Sequence, residues 1–181
     1  MTTRSVTTQI LLAGSGGQGI LFAGKFLTYA GMIEGREVSW LPSYGPEMRG
    51  GTANCSVILS DGPVGSPIVQ QPDVLIAMNL PSYLRFVPAI QPGGLLLADS
   101  SLISEHCERE DIRVVELPAT QLAYDEDMKG LANMILIGRM LKETGLVAPE
   151  TVEPAMAKCV PSTKAAMLAL NLRAIALGFA G

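Results

Sequence analysis

Short apolar runs alternate along this chain with longer stretches whose apolar residues recur at helical spacing. Four of the runs predict strands that are buried on both faces, because runs of this length bounded by turn signals are typical of such strands. They cover residues 9–13, 74–78, 95–98 and 112–117. Two more strands are predicted at 37–41 and at 53–60, where Cys55, Val57 and Leu59 alternate with their neighbours.

Helices are predicted where apolar residues follow the 3.6-residue period. The first covers about residues 19–34, and a second begins near Pro81 and ends before Pro92. One or two helices are expected within 118–145, and further helices at 150–159 and 163–179. The last one is apolar almost all round, which indicates burial against the body of the protein or against another subunit.

The order of these elements predicts the fold class. No helix fits between the strands at 37–41 and 53–60, so a parallel crossover between them is disfavoured. We expect them to be antiparallel neighbours or to lie apart in the sheet. The prediction is one domain over residues 1–181, an α/β three-layer fold with a mixed, mostly parallel sheet.

Composition narrows the functional classes. Of the 181 residues 17% are charged, and the net charge of −4 shows no basic cluster of the kind that binds nucleic acid. No uncharged apolar run approaches the roughly 18 residues that span a bilayer, and the polar N-terminus lacks a signal-peptide core. The three cysteines form neither a zinc nor an iron–sulfur pattern. We therefore expect a cytoplasmic protein without a membrane segment or a metal site of its own.

Acidic residues cluster in one part of the sequence, where the local cations are Arg109 and Arg113. Such a run usually forms a solvated outer edge, and the alternative is a contact for a basic partner. The acids are Asp99, Glu105, Glu108, Glu110, Asp111, Glu116, Asp125, Glu126 and Asp127.

A first glycine-rich loop, GSGGQG at 14–19, follows a predicted strand and opens a helix. Its glycines formally satisfy the dinucleotide fingerprint, which also needs an acid at the end of the second strand. Here that strand ends in Leu41-Pro42-Ser43, so NAD is disfavoured. Two interpretations remain. The glycines allow a tight turn and close packing, or they form an anion or cofactor site that another chain completes.

A second glycine-rich loop, YGPEMRGG at 44–51, carries Arg49. This arginine is a candidate clamp for a carboxylate or phosphate, or an ordinary loop arginine tied to Glu47. Tyr44 either stacks on a ligand or packs. His106 is interpreted as a solvated surface residue, and Asn133 as a satisfied polar residue on a helix face.

Together the two loops resemble the gamma subunit of 2-oxoacid:ferredoxin (or acceptor) oxidoreductases, of the 2-oxoglutarate or branched-chain 2-oxoacid type. The resemblance continues through residues 65–67, 72–73, 78–79, 92–94 and 132–134, so it covers nearly the whole chain. It implies a Rossmann-like domain that packs beside catalytic domains.

The resemblance also implies a complex larger than this chain. Such a complex decarboxylates a 2-oxoacid on thiamine diphosphate and magnesium, passes electrons through [4Fe–4S] clusters to ferredoxin, and delivers the acyl group to coenzyme A. The cofactors then belong to alpha, beta and possibly delta subunits, and this chain has no catalytic residue of its own. Its cofactor-binding or interface loop residues would be Gly14, Gly16, Gly17, Gln18, Gly19, Tyr44, Glu47, Arg49, Gly50 and Gly51.

Two other functional classes are compatible with the sequence. One is a stand-alone nucleotide-binding Rossmann-like protein that uses the first loop. The other is a purely structural assembly module in which both loops only pack.

Overall fold

A six-stranded sheet with helices on both faces forms the structure, a computed structural model that describes residues 6–43 and 52–181. The strands are β1 (Thr7–Ser15), β2 (Glu37–Ser43), β3 (Thr52–Ser60), β4 (Val74–Ala77), β5 (Leu95–Asp99) and β6 (Arg113–Leu117). The helices are α1 (Ile20–Ile33), α2 (Leu80–Phe86), α3 (Ala119–Asp125), α4 (Ala132–Thr144), α5 (Pro149–Cys159) and α6 (Ala165–Ala180), and a 3-10 turn (Val87–Ala89) follows α2.

The strand order is β2-β3-β1-β4-β5-β6. Strand β3 runs antiparallel to both β1 and β2, whereas β1, β4, β5 and β6 are parallel to one another. The prediction of a mixed, mostly parallel sheet is thus confirmed, and of the two arrangements expected for β2 and β3 the structure has the antiparallel neighbours.

Alternate residues of the central strands face two separate cores. Ile10 and Leu12 of β1 pack with α1, α3, α4, α5 and α6 on one face. Leu11 and Ala13 pack with α2, the 3-10 turn and Ile103 on the other. The three-layer prediction is confirmed, but the layers are unequal, because five helices cover one face and a single short helix covers the other.

Helix α6 crosses α4 at two glycines. A β-carbon at Gly138 would collide with the carbonyl oxygen of Ile175, and one at Gly178 with that of Ile135, so only glycine permits this approach. Ala174 and Ile175 are buried in the contact, while Met167, Leu170 and Phe179 remain exposed. The apolar helix is therefore buried on one side only.

Element boundaries differ modestly from the predicted ones. β1 extends two residues beyond each predicted end, because its antiparallel pairing with β3 runs from Thr7 to Ser15. α2 ends at Phe86, before Pro92 as predicted, and the chain then tightens into a 3-10 turn because Pro88 cannot continue an α-helix. The segment 118–145 contains two helices, α3 and α4.

Candidate functional site

The first glycine loop lies at the carboxyl end of β1, where the chain turns into α1. Gly17 and Gly19 have φ angles of 88° and 73°, a left-handed conformation that side chains rarely adopt. A β-carbon at Gly14 would lie 2.6 Å from Gln18 Oε1 and 3.1 Å from Met78 Cβ. The turn therefore requires glycine at these three positions.

Gly16 differs from the other loop glycines because it has neither a positive φ nor a close contact that requires glycine. A β-carbon built there has no heavy atom of another residue within 4 Å, apart from its chain neighbours. Gly16 and Gly17 are both exposed. The outer side of the loop thus faces open space, which is the side from which a ligand or a partner would approach.

Three amide side chains, those of Gln18, Asn79 and Asn133, hold the loop in place. Gln18 Oε1 accepts from the Ser15 amide at 2.6 Å, and its Nε2 donates to the Met78 carbonyl at 2.9 Å. These bonds tie the end of β1 to the end of β4. Because both bonds use a neutral group, they hold the turn without adding charge to it.

Asn79 makes the second connection, directly after β4. Its Nδ2 donates to Ser15 Oγ at 2.6 Å, and its Oδ1 accepts from the Ser82 amide at 3.0 Å, which caps α2. The side chain therefore links the glycine loop to the helix on the opposite face of the sheet.

Asn133 makes the third connection, from the first turn of α4. Its Nδ2 donates to the Gly19 carbonyl at 3.0 Å, and its Oδ1 has no hydrogen-bond partner among the described residues. The sequence-based interpretation as a satisfied helix-face residue is thus half right. The Asn133 amide supports a loop that lies 114 residues away in the sequence, a contact that periodicity alone does not reveal.

The N-terminus of α1 is open. Gly19 caps it without a side-chain hydrogen bond, and its first turn contains no acidic residue. The first helical hydrogen bond runs from the Ala23 amide to the Gly19 carbonyl at 3.0 Å, so the preceding amides have no partner within the helix. Such an end attracts negative charge.

A cavity of about 200 Å³ lies beside the loop. We call it the loop crevice; its lining residues are Gly17, Gln18, Met78, Leu102, Thr120, Ala123, Gly130 and Ala132. They come from segments that follow β1, β4, β5 and β6, and β1 and β4 are neighbours whose chains leave toward opposite faces. This is the position where open α/β sheets usually bind ligands.

Asp99 corrects one prediction about the acidic run. The acidic run predicts a solvated edge that includes Asp99, but this residue is fully buried at the end of β5. Its carboxylate accepts from the Ser101 amide at 3.1 Å, and from the Thr120 hydroxyl and amide at 2.5 and 3.3 Å. Asp99 therefore positions Thr120, a wall residue of the loop crevice, which the local sequence composition gave no sign of.

The second glycine loop, with Tyr44, Glu47, Arg49, Gly50 and Gly51, lies outside the described residues. Its two flanking residues are described. Thr52 pairs with Ser15, and Ser43 pairs with Asn54 in the adjacent strand, so both lie at the same edge of the sheet as the first loop. The strand register therefore brings the origins of the two loops together.

Strand order also bears on dinucleotide binding. The Rossmann fingerprint uses an acid at the end of the strand next to β1. Here β3 separates β1 from β2, and β2 ends in Leu41-Pro42-Ser43. A ribose-binding carboxylate on β2 would thus be two strands away from the loop.

Two of the cysteines, Cys55 and Cys159, do not suit nucleophilic chemistry. Burial raises the pKa of the Cys55 thiol to about 12 and that of Cys159 to about 11, so both stay protonated and unreactive. Residues 6–43 and 52–181 contain no group of three or more metal-ligating side chains. Among the helices in those ranges, none has the length and apolar character needed to cross a bilayer.

The sequence profile of the pyruvate ferredoxin/flavodoxin oxidoreductase family matches residues 9–181, which is almost the whole chain. The chain belongs to this family. The membership expected from the two glycine loops is confirmed.

Within the family, two kinds of relative differ in length. The chain is 41% identical over 133 residues to ketoisovalerate oxidoreductase subunit VorA of Methanothermobacter marburgensis, covering 74% of this chain and only 28% of VorA. It is 34% identical over 156 residues to 2-oxoglutarate synthase subunit KorC of Methanocaldococcus jannaschii, covering 84% of this chain and 83% of KorC. The chain thus spans about a quarter of the VorA relatives and most of KorC.

Solved structures of family members share the fold. A keto/oxoacid ferredoxin oxidoreductase gamma subunit from Geobacter sulfurreducens superposes with a TM-score of 0.82 at 30% identity, over 96% of both chains. A 2-oxoglutarate:ferredoxin oxidoreductase from Magnetococcus marinus, solved with 2-oxoglutarate, coenzyme A and succinyl-CoA, gives 0.84 at 25% identity. That match covers 96% of this chain and 30% of the other, so the same fold occurs inside a longer polypeptide.

Proposed function

We propose that this chain is the gamma-type subunit of a thiamine-diphosphate-dependent 2-oxoacid:ferredoxin oxidoreductase. The complex would convert 2-oxoglutarate or a branched-chain 2-oxoacid to the acyl-CoA and pass the electrons to ferredoxin. The match to KorC, which covers more than four fifths of both chains, carries the proposal. The identity to VorA is the reason to keep branched-chain acids as the second substrate class.

In this proposal the chain is one gamma-type domain over residues 1–181 and contains no complete active site. Thiamine diphosphate, magnesium, the [4Fe–4S] clusters and coenzyme A would be held by alpha, beta and possibly delta subunits, in the cytoplasm. The described residues of this chain do not fit an iron–sulfur cluster. Cys55 is buried in the sheet with a protonated thiol, and no second cysteine joins it in a metal-ligating group within 6–43 and 52–181.

The chain's own contribution would be the two glycine loops, which would lie against a partner subunit near the site of chemistry. The first supplies the free amides of α1 and the open side of Gly16. The second would supply Arg49 as the anion contact, and Tyr44, Glu47, Gly50 and Gly51 are the other candidate residues of this loop. The common edge from which both loops start supports this pairing.

The test of the complex is to capture the chain from its own cell extract without oxygen. We expect it to bring larger partners, iron and thiamine diphosphate, and the captured material to reduce ferredoxin with 2-oxoglutarate or 3-methyl-2-oxobutanoate. Recovery as a small homo-oligomer with a bound nucleotide would instead favour the stand-alone nucleotide-binding protein.

The role of the loops is tested by Arg49→Ala in the reconstituted complex. The control is Arg85→Ala, which removes the same charge from an exposed position on α2. Loss of a charge-assisted contact should lower turnover roughly tenfold or more, with the thermal midpoint unchanged. Arg85→Ala should stay within about twofold of the unmodified complex. Equal activity of the two variants would assign the loops to packing alone.

A further inference from the structure

A second cavity, of about 390 Å³, lies outside the loop crevice, on the sheet face that α2 covers. One wall is apolar and consists of Leu84, Val87 and Pro88 with the ring of Tyr83. The other wall is residues 105–109, which form part of an irregular segment between β5 and β6. We call this feature the acidic cavity.

The irregular segment is held in place by Arg109. Its Nη1 donates to the Val87 carbonyl at 2.9 Å and to the Ile90 carbonyl at 2.7 Å, and its other nitrogens bind the Asp111 carboxylate at 2.9 and 2.6 Å. The hydrogen bond from Arg109 lowers the pKa of Asp111, so this pair stays ionised. The cation of the cavity wall is thus already paired.

Negative charge at the rim is not balanced. Glu105 and Glu108 are exposed, and neither forms an ion pair with any residue in 6–43 or 52–181. His106, which is also exposed, contacts Glu116 at 3.2 Å and so leaves the other two acids free. The rim therefore attracts positive charge, screened only by solvent.

Tyr83 provides an independent indication of a missing partner. The residue is only 6% exposed, and its buried hydroxyl has no hydrogen-bond partner among the described residues beyond the weakly interacting Cys107 thiol. Burial, and then the neighbouring Cys107, Glu116 and Glu105, raise its pKa to about 12. Buried polar groups without a partner are rare in native proteins because their desolvation is not compensated.

We propose that the acidic cavity is a docking site for a lysine or arginine side chain of a partner protein. The aliphatic stem would lie along Leu84, Val87 and Pro88, the charged head would meet Glu105 and Glu108, and one of its N–H groups would donate to the Tyr83 oxygen. Charge complementarity selects this occupant, because the cavity places unpaired acids opposite an apolar wall and its own arginine is already bound to Asp111.

A protein side chain fits better than a free amine because the apolar surface continues beyond the cavity. Leu84 is 60% exposed at its border, where it would pack against residues that flank the docked side chain. Apolar contacts around a central charged anchor are the usual arrangement of energetically important interface residues. The site is separate from the loop crevice, so this inference does not depend on the proposed enzymatic complex.

The test uses the full chain and two blocked tripeptides, acetyl-Ala-Lys-Ala-amide and its norleucine counterpart, which has the stem without the charge. We expect the lysine peptide to shift the backbone NMR signals of Leu84, Cys107 and Glu108, with a smaller shift at 300 mM salt. The norleucine peptide should leave these signals unchanged. Equal shifts by the two peptides, or no shift by either, would overturn the proposal.

Variants sharpen this test. Glu105→Gln and Glu108→Gln should each raise the apparent Kd for the lysine peptide about two- to fivefold, whereas Glu153→Gln on the exposed side of α5 should not. Tyr83→Phe removes the unpaired hydroxyl, so it should weaken binding while leaving the protein as stable as before or more so. Unchanged binding in all three cavity variants contradicts the assignment. Much tighter binding of putrescine than of the lysine peptide contradicts a protein side chain as the occupant.

Discussion

The loop crevice and the acidic cavity differ in the charge of the side chains around them. The glycine loop beside the crevice is held by the neutral amides of Gln18, Asn79 and Asn133 and leads into the uncapped end of α1. The cavity has a charged rim, and the irregular segment that forms one wall is attached through Arg109. A neutral, preorganised turn suits a small anionic group, whereas an exposed charged rim on a less regular segment suits recognition of a protein surface.

The largest effect should come from Asp99→Ala, which tests how rigidly the crevice is built. The substitution removes the acceptor of Ser101 and Thr120 in a fully buried position, so we expect the free energy of unfolding to fall by about 3 kcal/mol. Denaturant unfolding measures it. Asp125→Ala on the exposed side of α3 is the control and should cost well under 1 kcal/mol. Similar losses in the two variants would contradict a special role for Asp99.

Next in size is Gly19→Ala, compared with Gly16→Ala in the same loop. Gly19 has a left-handed φ of 73° and its β-carbon would meet the Asn133 amide, so stability should fall by about 1–3 kcal/mol. Gly16→Ala meets open space and should change stability by about 0.5 kcal/mol or less. If Gly16→Ala nevertheless lowers turnover of the reconstituted complex, the open side of the loop is the functional one.

Gln18→Leu should have an intermediate effect of about 1–2 kcal/mol, because it leaves the Ser15 amide and the Met78 carbonyl without their partner. Gln70→Leu is a matched control, because this glutamine is exposed and its side chain forms no hydrogen bond with another described residue. Thermal unfolding should occur at a lower temperature, and amide exchange at residues 15–19 should be faster, in Gln18→Leu than in Gln70→Leu. Equal protection of this loop in both variants would contradict the bridging role.

The smallest effect should come from Arg109→Lys, which keeps the charge but loses the planar fork that binds two carbonyls and a carboxylate together. We expect faster hydrogen exchange over residues 104–110 and unchanged exchange in β1 and α1. The contrast would show that the acidic cavity opens independently of the loop crevice. Faster exchange in both regions would mean that the two form one cooperative unit.

Sequence patterns predicted most of the fold because they depend on local rules. Continuous apolar runs marked the central strands, and the absence of a helix between β2 and β3 excluded a parallel crossover between them. The two glycine loops predicted family membership, and the positive φ angles of Gly17 and Gly19 explain why glycine is needed there. Boundaries such as the ends of β1 were less accurate, since they depend on how far the strand pairs with β3.

Contacts between distant residues were decided only by the tertiary structure. Asp99 reads as one acid of a polar run, and only its place at the end of a buried strand makes it an acceptor for Thr120. Asn133 lies 114 residues from the carbonyl that it supports. Tyr83 and Cys107 share a cavity although they belong to different segments. Periodicity and composition describe which side of an element faces inward; which residues then meet depends on strand order and helix packing, and these are set by the whole chain at once.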